Sequence, residues 1–549
     1  MHTRALSQQI GAVLLALAAS SCTGHIGGSG RAGQDGEQEG WPSFAPTRAF
    51  QLRRLTTEQY LTTVRTLLGV STDEMPSIEP VPSVAGFPAI GASSVAVSGA
   101  GVAKFEEAAR FLAHAALGPD GPRDQLLPCT PADPADLACF TSFVTEFGRR
   151  AFRRPLADNE VAAYAGLASE SATALEDVWG GLEAVTSAFL QSPHFLYLPE
   201  VGEPDPGASG RYRFTSWEMA SRLSYFLTND MPDEELFAAA ESGALSSADG
   251  VREQAARLLA LPAARESVRG FFSALLGLDA LTTMARDAEL FPKFTPTLGS
   301  AMREETLLGF EDLVFDRDGD YRAVFDQTTT FVNAELAALY GVPAPANGFE
   351  RITLPASAKR VGLLGQAGVL APRDHADGTA PTRRGLFVLT RLLCQDLPQA
   401  PPANLAIPPP PTGMFTAREQ LEEHATNPAC ASCHVHTDPV GLSLEHFDAI
   451  GEYRETDRGM TIDETGQIGD TKYQGLVGLG SYLRESPALG PCLIQSIYHV
   501  AIGHLSTEFD RATFGSMVDT FQSEGSRIRP LLAAMIASEG FRYLAVPED

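Results

Sequence analysis

Apolar residues recur at helical spacing along most of this chain, and that spacing limits the folds open to it. In 52–69 (LRRLTTEQYLTTVRTLLG), Leu55, Tyr60, Val64, Leu67 and Leu68 lie near helical spacing, and Gly69 suits a C-cap. Segment 101–117 repeats the pattern with Phe105, Ala108, Phe111 and Leu112. Segments 137–152 and 158–191 read as amphipathic helices separated by an Arg153-Arg154-Pro155 turn. Segments 215–227 and 233–241 read as two helices joined by Asn229-Asp230-Met231-Pro232, and 248–287 and 296–316 continue in the same style. Alternating β-branched runs are scarce. The expected fold is therefore mainly α, a multi-domain helical protein stabilised by helix packing. The length of 549 residues predicts three or four domains. An apolar fraction of 44% is enough for an ordinary core and excludes a wholly disordered chain.

The first residues read as an export signal. Arg4 supplies a positive start, and Ile10 to Ala19 is an unbroken apolar stretch. That run is too short to span a bilayer but suits a signal peptide. Ala19-Ser20-Ser21 and then Cys22 resemble a lipoprotein box, although Ala19 stands where Leu is usual. On this reading 1–21 is a signal peptide, Cys22 is the lipidated first residue of the exported chain, and the polar, Gly-rich 22–45 is a tether. An ordinary cleaved signal with an incidental Cys22 is the simpler alternative. No later run of 18 apolar residues occurs, so no transmembrane helix is expected. A net charge of −27 argues against a nucleic-acid partner, because phosphate backbones need a basic face.

Seven cysteines fit an exported chain. Besides Cys22, Cys430 and Cys433 form a C-x-x-C unit, which leaves Cys129, Cys139, Cys394 and Cys492. Cys129 and Cys139 flank a short Pro- and Asp-rich loop and suit a local bond. Cys394 and Cys492 would then close a long loop around the C-x-x-C unit. Four cysteines allow three pairings, and four free buried thiols is the alternative. Between the helices expected at 383–396 and 416–426, the proline-rich 398–412 (PQAPPANLAIPPPPT) reads as an extended spacer.

Cys430-Ala431-Ser432-Cys433-His434 is the attachment sequence for c-type haem. Two thiols one helical turn apart can reach the two vinyl groups on one porphyrin edge. The His that follows is turned under the ring to ligate iron. Three other readings stand beside it. Cys430 and Cys433 could form a redox disulfide, although no thioredoxin-like βαβ pattern surrounds them. They could bind zinc with His434 or His436, which would require further ligands from a separate position. They could also form a plain structural disulfide. Past the motif, Asp438-Pro439 is expected to break the helix, and Gly441 and Gly451 to allow close turns. Phe447 and Tyr453 are candidates to wall a haem edge, and Asp448 or Arg454 to reach a propionate, with Arg454 the better partner on charge. The alternative is a turn-rich, well-packed subdomain whose polar residues bond one another. Candidates for a second axial ligand are His375, Met414, Met460, His424 and His436. The pairs Arg149-Arg150 and Arg153-Arg154 could hold an anion, but in an acidic chain they are expected to pair with nearby carboxylates. No nucleophile elbow, zincin motif, P-loop or dinucleotide fingerprint is present.

Six segments, in order, carry a resemblance. They are LRRLTTEQYLTTVRTLLG at 52–69, FGRRAFRRPLADNE at 147–160, FTSWEMASRLSYFLTNDMPDEEL at 214–236, FVNAELAALYGV at 331–342, GLLGQAGVLAPRDHADGTAPTRRGLFVLTRLLC at 362–394 and NPACASCHVHTDPVGLSLEHFDAIGEYRE at 427–455. The chain resembles large exported proteins of planctomycete- and myxobacterial-type genomes. These are assembled from a fixed series of domains of unknown function (1587, 1595, 1592, 1588 and 1585) and often carry a cytochrome c-like motif. The resemblance implies an exported protein with a single covalent haem c, serving redox steps in the cell envelope. It also implies a His at the position of His375, and it departs at Gly503-His504, where the family commonly has Gly-Arg.

The expected organisation is a helical domain at 46–120, a second at 125–200 with the RAFRRP motif, and a central one at 210–345. A domain at 358–456 carries the C-x-x-C-H unit and the proline-rich linker, with a small cytochrome c-like haem-binding region, and a helical domain at 465–545 ends the chain. The leading reading is a lipid-anchored, mono-haem protein of envelope electron transfer, in the periplasm or on the outer membrane. Cys430 and Cys433 form the thioethers and His434 is the proximal ligand. Its partners would be an envelope redox protein or other exported protein, and the membrane through its lipid. One rival is a non-redox envelope scaffold or binding lipoprotein with a structural disulfide, zinc or no cofactor. Another is a peroxidase-type haem enzyme with an open distal site.

Overall fold

The computed structural model describes residues 51–545, apart from 135, 209–210, 399–415, 425–427 and 507–509. The export signal, Cys22, the tether, Met414 and nearly all of the proline-rich linker lie outside the described residues. Within them the fold is mainly α, with a few short antiparallel pairings between the helices. No described helix is long and apolar enough to cross a membrane.

The helix expected from residue 52 begins later. Thr57–Leu68 is helical, and Gln51–Arg54 is a strand paired antiparallel with Tyr197–Glu200. The helix start is set locally. The Thr56 side chain accepts from the Gln59 amide, the Gln59 side chain accepts from the Thr56 amide, and Gly69 ends the helix at φ +70°. The strand depends on distant partners. Arg53 and Arg54 are buried against Glu200 and Glu79, while Leu52 is 61% exposed. The apolar run therefore misled, because its arginines face inward and its first leucine faces out.

Helices Gly99–Leu117, Leu137–Phe152, Asp158–Leu175 and Val178–Gln191 pack with Thr57–Leu68 around one apolar cluster that includes Phe105, Phe140, Phe143, Leu182 and Phe189. Glu176, at φ +54°, divides the stretch expected as one run over 158–191. Arg153, at φ +58°, turns the chain after Phe152 and donates to the carbonyls of His194, Phe195 and Tyr197. Arg149 and Arg154 pair with carboxylates as expected, Glu234 and Glu160, whereas Arg150 donates to the Thr66 carbonyl.

A second apolar cluster runs from Phe87 to Leu544. It gathers the helices Ser216–Leu227, Ala248–Leu258, Pro262–Leu276, Pro296–Glu311 and Leu489–Ile502. Pro262 begins a new helix, so the stretch read as 248–287 is two helices and a short 3₁₀ turn. The last strand, Tyr543–Ala545, pairs with Arg211–Arg213 and ties the end of the described chain to its middle. Two disulfides, Cys129–Cys139 and Cys394–Cys492, are the pairings expected from sequence.

One buried carboxyl responds to pH. Glu305 is fully buried on Pro296–Glu311 and accepts from Thr330 Oγ1 and Tyr340 OH, each at 2.6 Å. Burial pushes its pKa from 4.5 up to about 7, against the pull of those two hydrogen bonds and of Arg360. Between those values the folded chain keeps a proton that the unfolded chain has lost. The contribution of Glu305 to stability is therefore full below about pH 4.5 and is lost as pH rises toward about 7. Denaturant titrations over that window should show the loss, at most roughly 3 kcal/mol, and Glu305→Gln should abolish this part of the slope.

Candidate functional site

The C-x-x-C-H unit lies on a helix, Pro428–Leu442, which includes Pro439. The expected break at Asp438-Pro439 does not occur. Proline deprives the Val435 carbonyl of its helical donor, but the Val435 side chain is 60% exposed, so that turn lies toward water. The opposite face is held against helix Pro381–Phe387. A Cβ on Gly385 would stand 1.8 Å from the Thr437 carbonyl oxygen, and one on Gly441 would stand 1.8 Å from that of Pro381. Gly441 thus permits two backbones to touch and does not form a turn. Gly451 does turn the chain, at φ +74°, against Ala367.

Cys430, His434, the adjacent Thr437 and Asp438, and Gly441 recur at steps of three or four residues, so they share one side of the helix. Cys430 is buried and Cys433 half-buried, and both are free thiols. His434 Nδ1 lies 2.9 Å from Asp438 Oδ2, and the other oxygen, Oδ1, accepts from Thr382 Oγ1 at 2.8 Å. Asp438 therefore joins the imidazole to the neighbouring helix and fixes the ring by one nitrogen.

Beyond the helix, the chain from Leu444 to Asp448 wraps around a single guanidinium. Arg384, 1% exposed, donates from Nε and Nη2 to the two oxygens of Asp374 at 3.0 and 2.7 Å. It also donates to the carbonyls of Leu444, Phe447 and Asp448 at 2.8 to 2.9 Å. All five of its N–H groups are used. Glu445 Oε2 accepts from Arg454 and Thr379, each at 2.8 Å, and Arg454 also pairs with Asp457. Burial pushes the Glu445 carboxyl up, against the pull of Arg384 and Arg454.

The candidate residues of this segment are engaged in structure. Phe447 is buried under the Arg360 guanidinium and meets Tyr453 edge-on. Asp448 caps the amides of Ile450 and Glu452, and Arg454 serves Glu445 and Asp457. The alternative of mutually bonded polar groups describes them. His375 is exposed in the loop after Asp374, His436 is exposed on the motif's own helix, and Met460 is half-buried in a two-residue hairpin. The His424 side chain lies outside the described residues. No group of three or more His, Cys, Asp or Glu converges as a metal site among the described residues, so the zinc alternative lacks its further ligands there.

Sequence reading passed over Arg384 and Asp374. The signal was present, since Pro381, Arg384, Gly385 and Val388 share helical spacing and place an arginine on the apolar side of its helix.

Five family profiles match the chain in order. Each is described as a protein of unknown function: DUF1587 over 53–118, DUF1595 over 139–200, DUF1592 over 214–342, DUF1588 over 360–457 and DUF1585 over 469–541. The chain carries all five domains of this series. The DUF1588 domain contains the whole site, from Arg360 through the motif to Asp457. No curated protein and no solved structure matches the chain.

Removing one partner of a buried ion pair leaves the other charge stranded, at a cost of about 3–5 kcal/mol. Arg384→Met should destabilise the protein by that order in chemical denaturation. Thr382→Val, which removes one of the two hydroxyls donating to Asp438 Oδ1, should cost about 1 kcal/mol.

Proposed function

We propose that this is an exported, lipid-anchored protein that carries one covalent c-type haem and passes electrons in the cell envelope. The observation that carries the reading is the arrangement of three donors on one helix. Cys430 and Cys433 are free thiols one turn apart, beside a histidine whose orientation is already fixed. Each S–H would add across a porphyrin vinyl group, forming a thioether with no leaving group. Asp438 holds His434 by Nδ1, which gives Nε2 the ligand role and strengthens it as a donor. The bound group would supply a one-electron couple at iron. The profile over 360–457 bears the label PSCyt3, which agrees with this reading. The export signal and Cys22 support it from the sequence, because haem is attached to this motif outside the cytoplasm.

The chain's own part in this chemistry is positional. The close contacts at Gly385 and Gly441 fix the motif helix. The Arg384 clasp fixes the chain that leaves it. Asp438, anchored by Thr382, aims the imidazole.

Protein made with a haem-attachment system should give a c-type pyridine haemochrome. The haem should survive denaturation in wild type, and Cys430→Ser with Cys433→Ser should lose it. Colourless protein from such cells would refute the reading and leave the scaffold alternative. Asp438→Asn should retain the covalent haem but raise its midpoint potential, because a less basic imidazole favours the ferric state less. An unchanged potential would show that Asp438 serves packing alone.

A further inference from the structure

Away from the haem motif, a cavity of about 290 Å³ opens where three of the five domains meet. Its walls are chiefly apolar. Phe226, Val268 and Phe271 come from the central domain, Phe87 from the first, and Val500 and Leu532 from the last. Gly270 and Ala274 share a face of helix Pro262–Leu276, and their small size leaves the space open. A Cβ on Gly270 would meet nothing closer than the Glu58 carboxylate at 3.7 Å. Largely apolar cavities at domain junctions, with a few polar groups, are the usual form of small-molecule sites.

The polar part of the wall favours an anion. Thr56, Thr57, Glu58 and Gln59 form the first turn of the twelve-residue helix Thr57–Leu68. Thr56 and Gln59 cap each other, so the Thr57 and Glu58 amides are the donors left at this helix start. Arg53 also lines the cavity. It is buried, and its Nε and Nη2 have no hydrogen-bond acceptor. Its ion-pair partner Glu200, 3.2 Å from Nη2, is shared with Arg222, which donates to the same oxygen at 2.6 Å. Two guanidinium charges thus face one carboxylate, and the cluster carries a surplus positive charge inside the fold.

We propose that this cavity binds an apolar carboxylate of the fatty-acid class, its chain among Phe87, Phe226, Phe271, Val500 and Leu532 and its head at the Arg53 and helix-start end. The site is independent of haem. Burial, with Asp279 adding to it, pushes the Glu58 carboxyl up, against the pull of Arg303 and a hydrogen bond from Asn229. A neutral or cationic amphiphile would fill the same walls but leave the positive surplus unanswered.

The test uses the full chain and three probes of one tail length: dodecanoate, dodecanol and dodecyltrimethylammonium. Equilibrium dialysis should show saturable dodecanoate binding at one per chain. The alcohol and the ammonium should bind at least about tenfold more weakly, as expected for a charge-assisted contact. Gly270→Leu and Ala274→Leu, which fill the cavity, should each weaken dodecanoate binding by about tenfold or more with the ligand-free melting temperature retained. Absence of saturable dodecanoate binding to the native chain would overturn the proposal, and so would equal binding of the alcohol or tighter binding of the ammonium. The head-group comparison needs no variant, so a substitution that failed to fold would not protect the idea.

Discussion

The buried guanidinium of Arg384 is the interaction on which the motif domain depends. Isolating such a charge from water costs several kcal/mol, and the cost is offset only if every donor is met. Here the Asp374 carboxylate answers the charge, and three consecutive-turn carbonyls use the other donors. The result is geometric as much as energetic. The five hydrogen bonds fix where the chain goes after the C-x-x-C-H helix. Glu445, Arg454 and Asp457 then extend the same network outward. The turn-rich segment sends Leu444, Phe447 and Ile450 into the large apolar cluster, and this polar centre fixes the backbone that carries them.

The same logic joins this domain to its neighbours. Arg360 stacks on Tyr340 of the preceding domain and on Phe447, and donates to the Gly365 and Gly451 carbonyls. Tyr340 in turn donates to Glu305. A titrating carboxyl in the central domain is thus three contacts away from the chain that follows the motif, through Tyr340 and Arg360. The domains defined by the family profiles are units of sequence. In the folded chain, both apolar clusters and a polar relay cross their boundaries.

What could be read from the sequence was what is decided locally. The capping box at Thr56 and Gln59, the C-cap at Gly69 and the amphipathic faces of 101–117 and 137–152 all rest on neighbours within a turn or two. The disulfide pairing was one of three open to four cysteines, favoured because Cys129 and Cys139 flank a short loop. What escaped was decided by distant partners. Arg53 and Arg54 form a strand because Glu200 and Glu79 wait for them. Pro439 stays helical because Gly385 and Gly441 let a second helix press close. In the site, the motif was legible as a pattern of residue types, and its Asp438 contact lies only one turn on, within reach of spacing rules. Arg384 was not found because a lone arginine in an amphipathic stretch reads as a surface residue unless its helical face is examined. The cavity was invisible, since its lining comes from three regions of chain that no periodicity connects.

The bond between Cys394 and Cys492 has a topological effect of its own. It converts the intervening stretch, which holds the proline-rich spacer and the whole motif helix, into a closed ring. A protease that nicked the backbone once anywhere in that ring would release no fragment. The molecule would stay a single covalent object, and the scar would become visible only when a reductant opened the sulfur link.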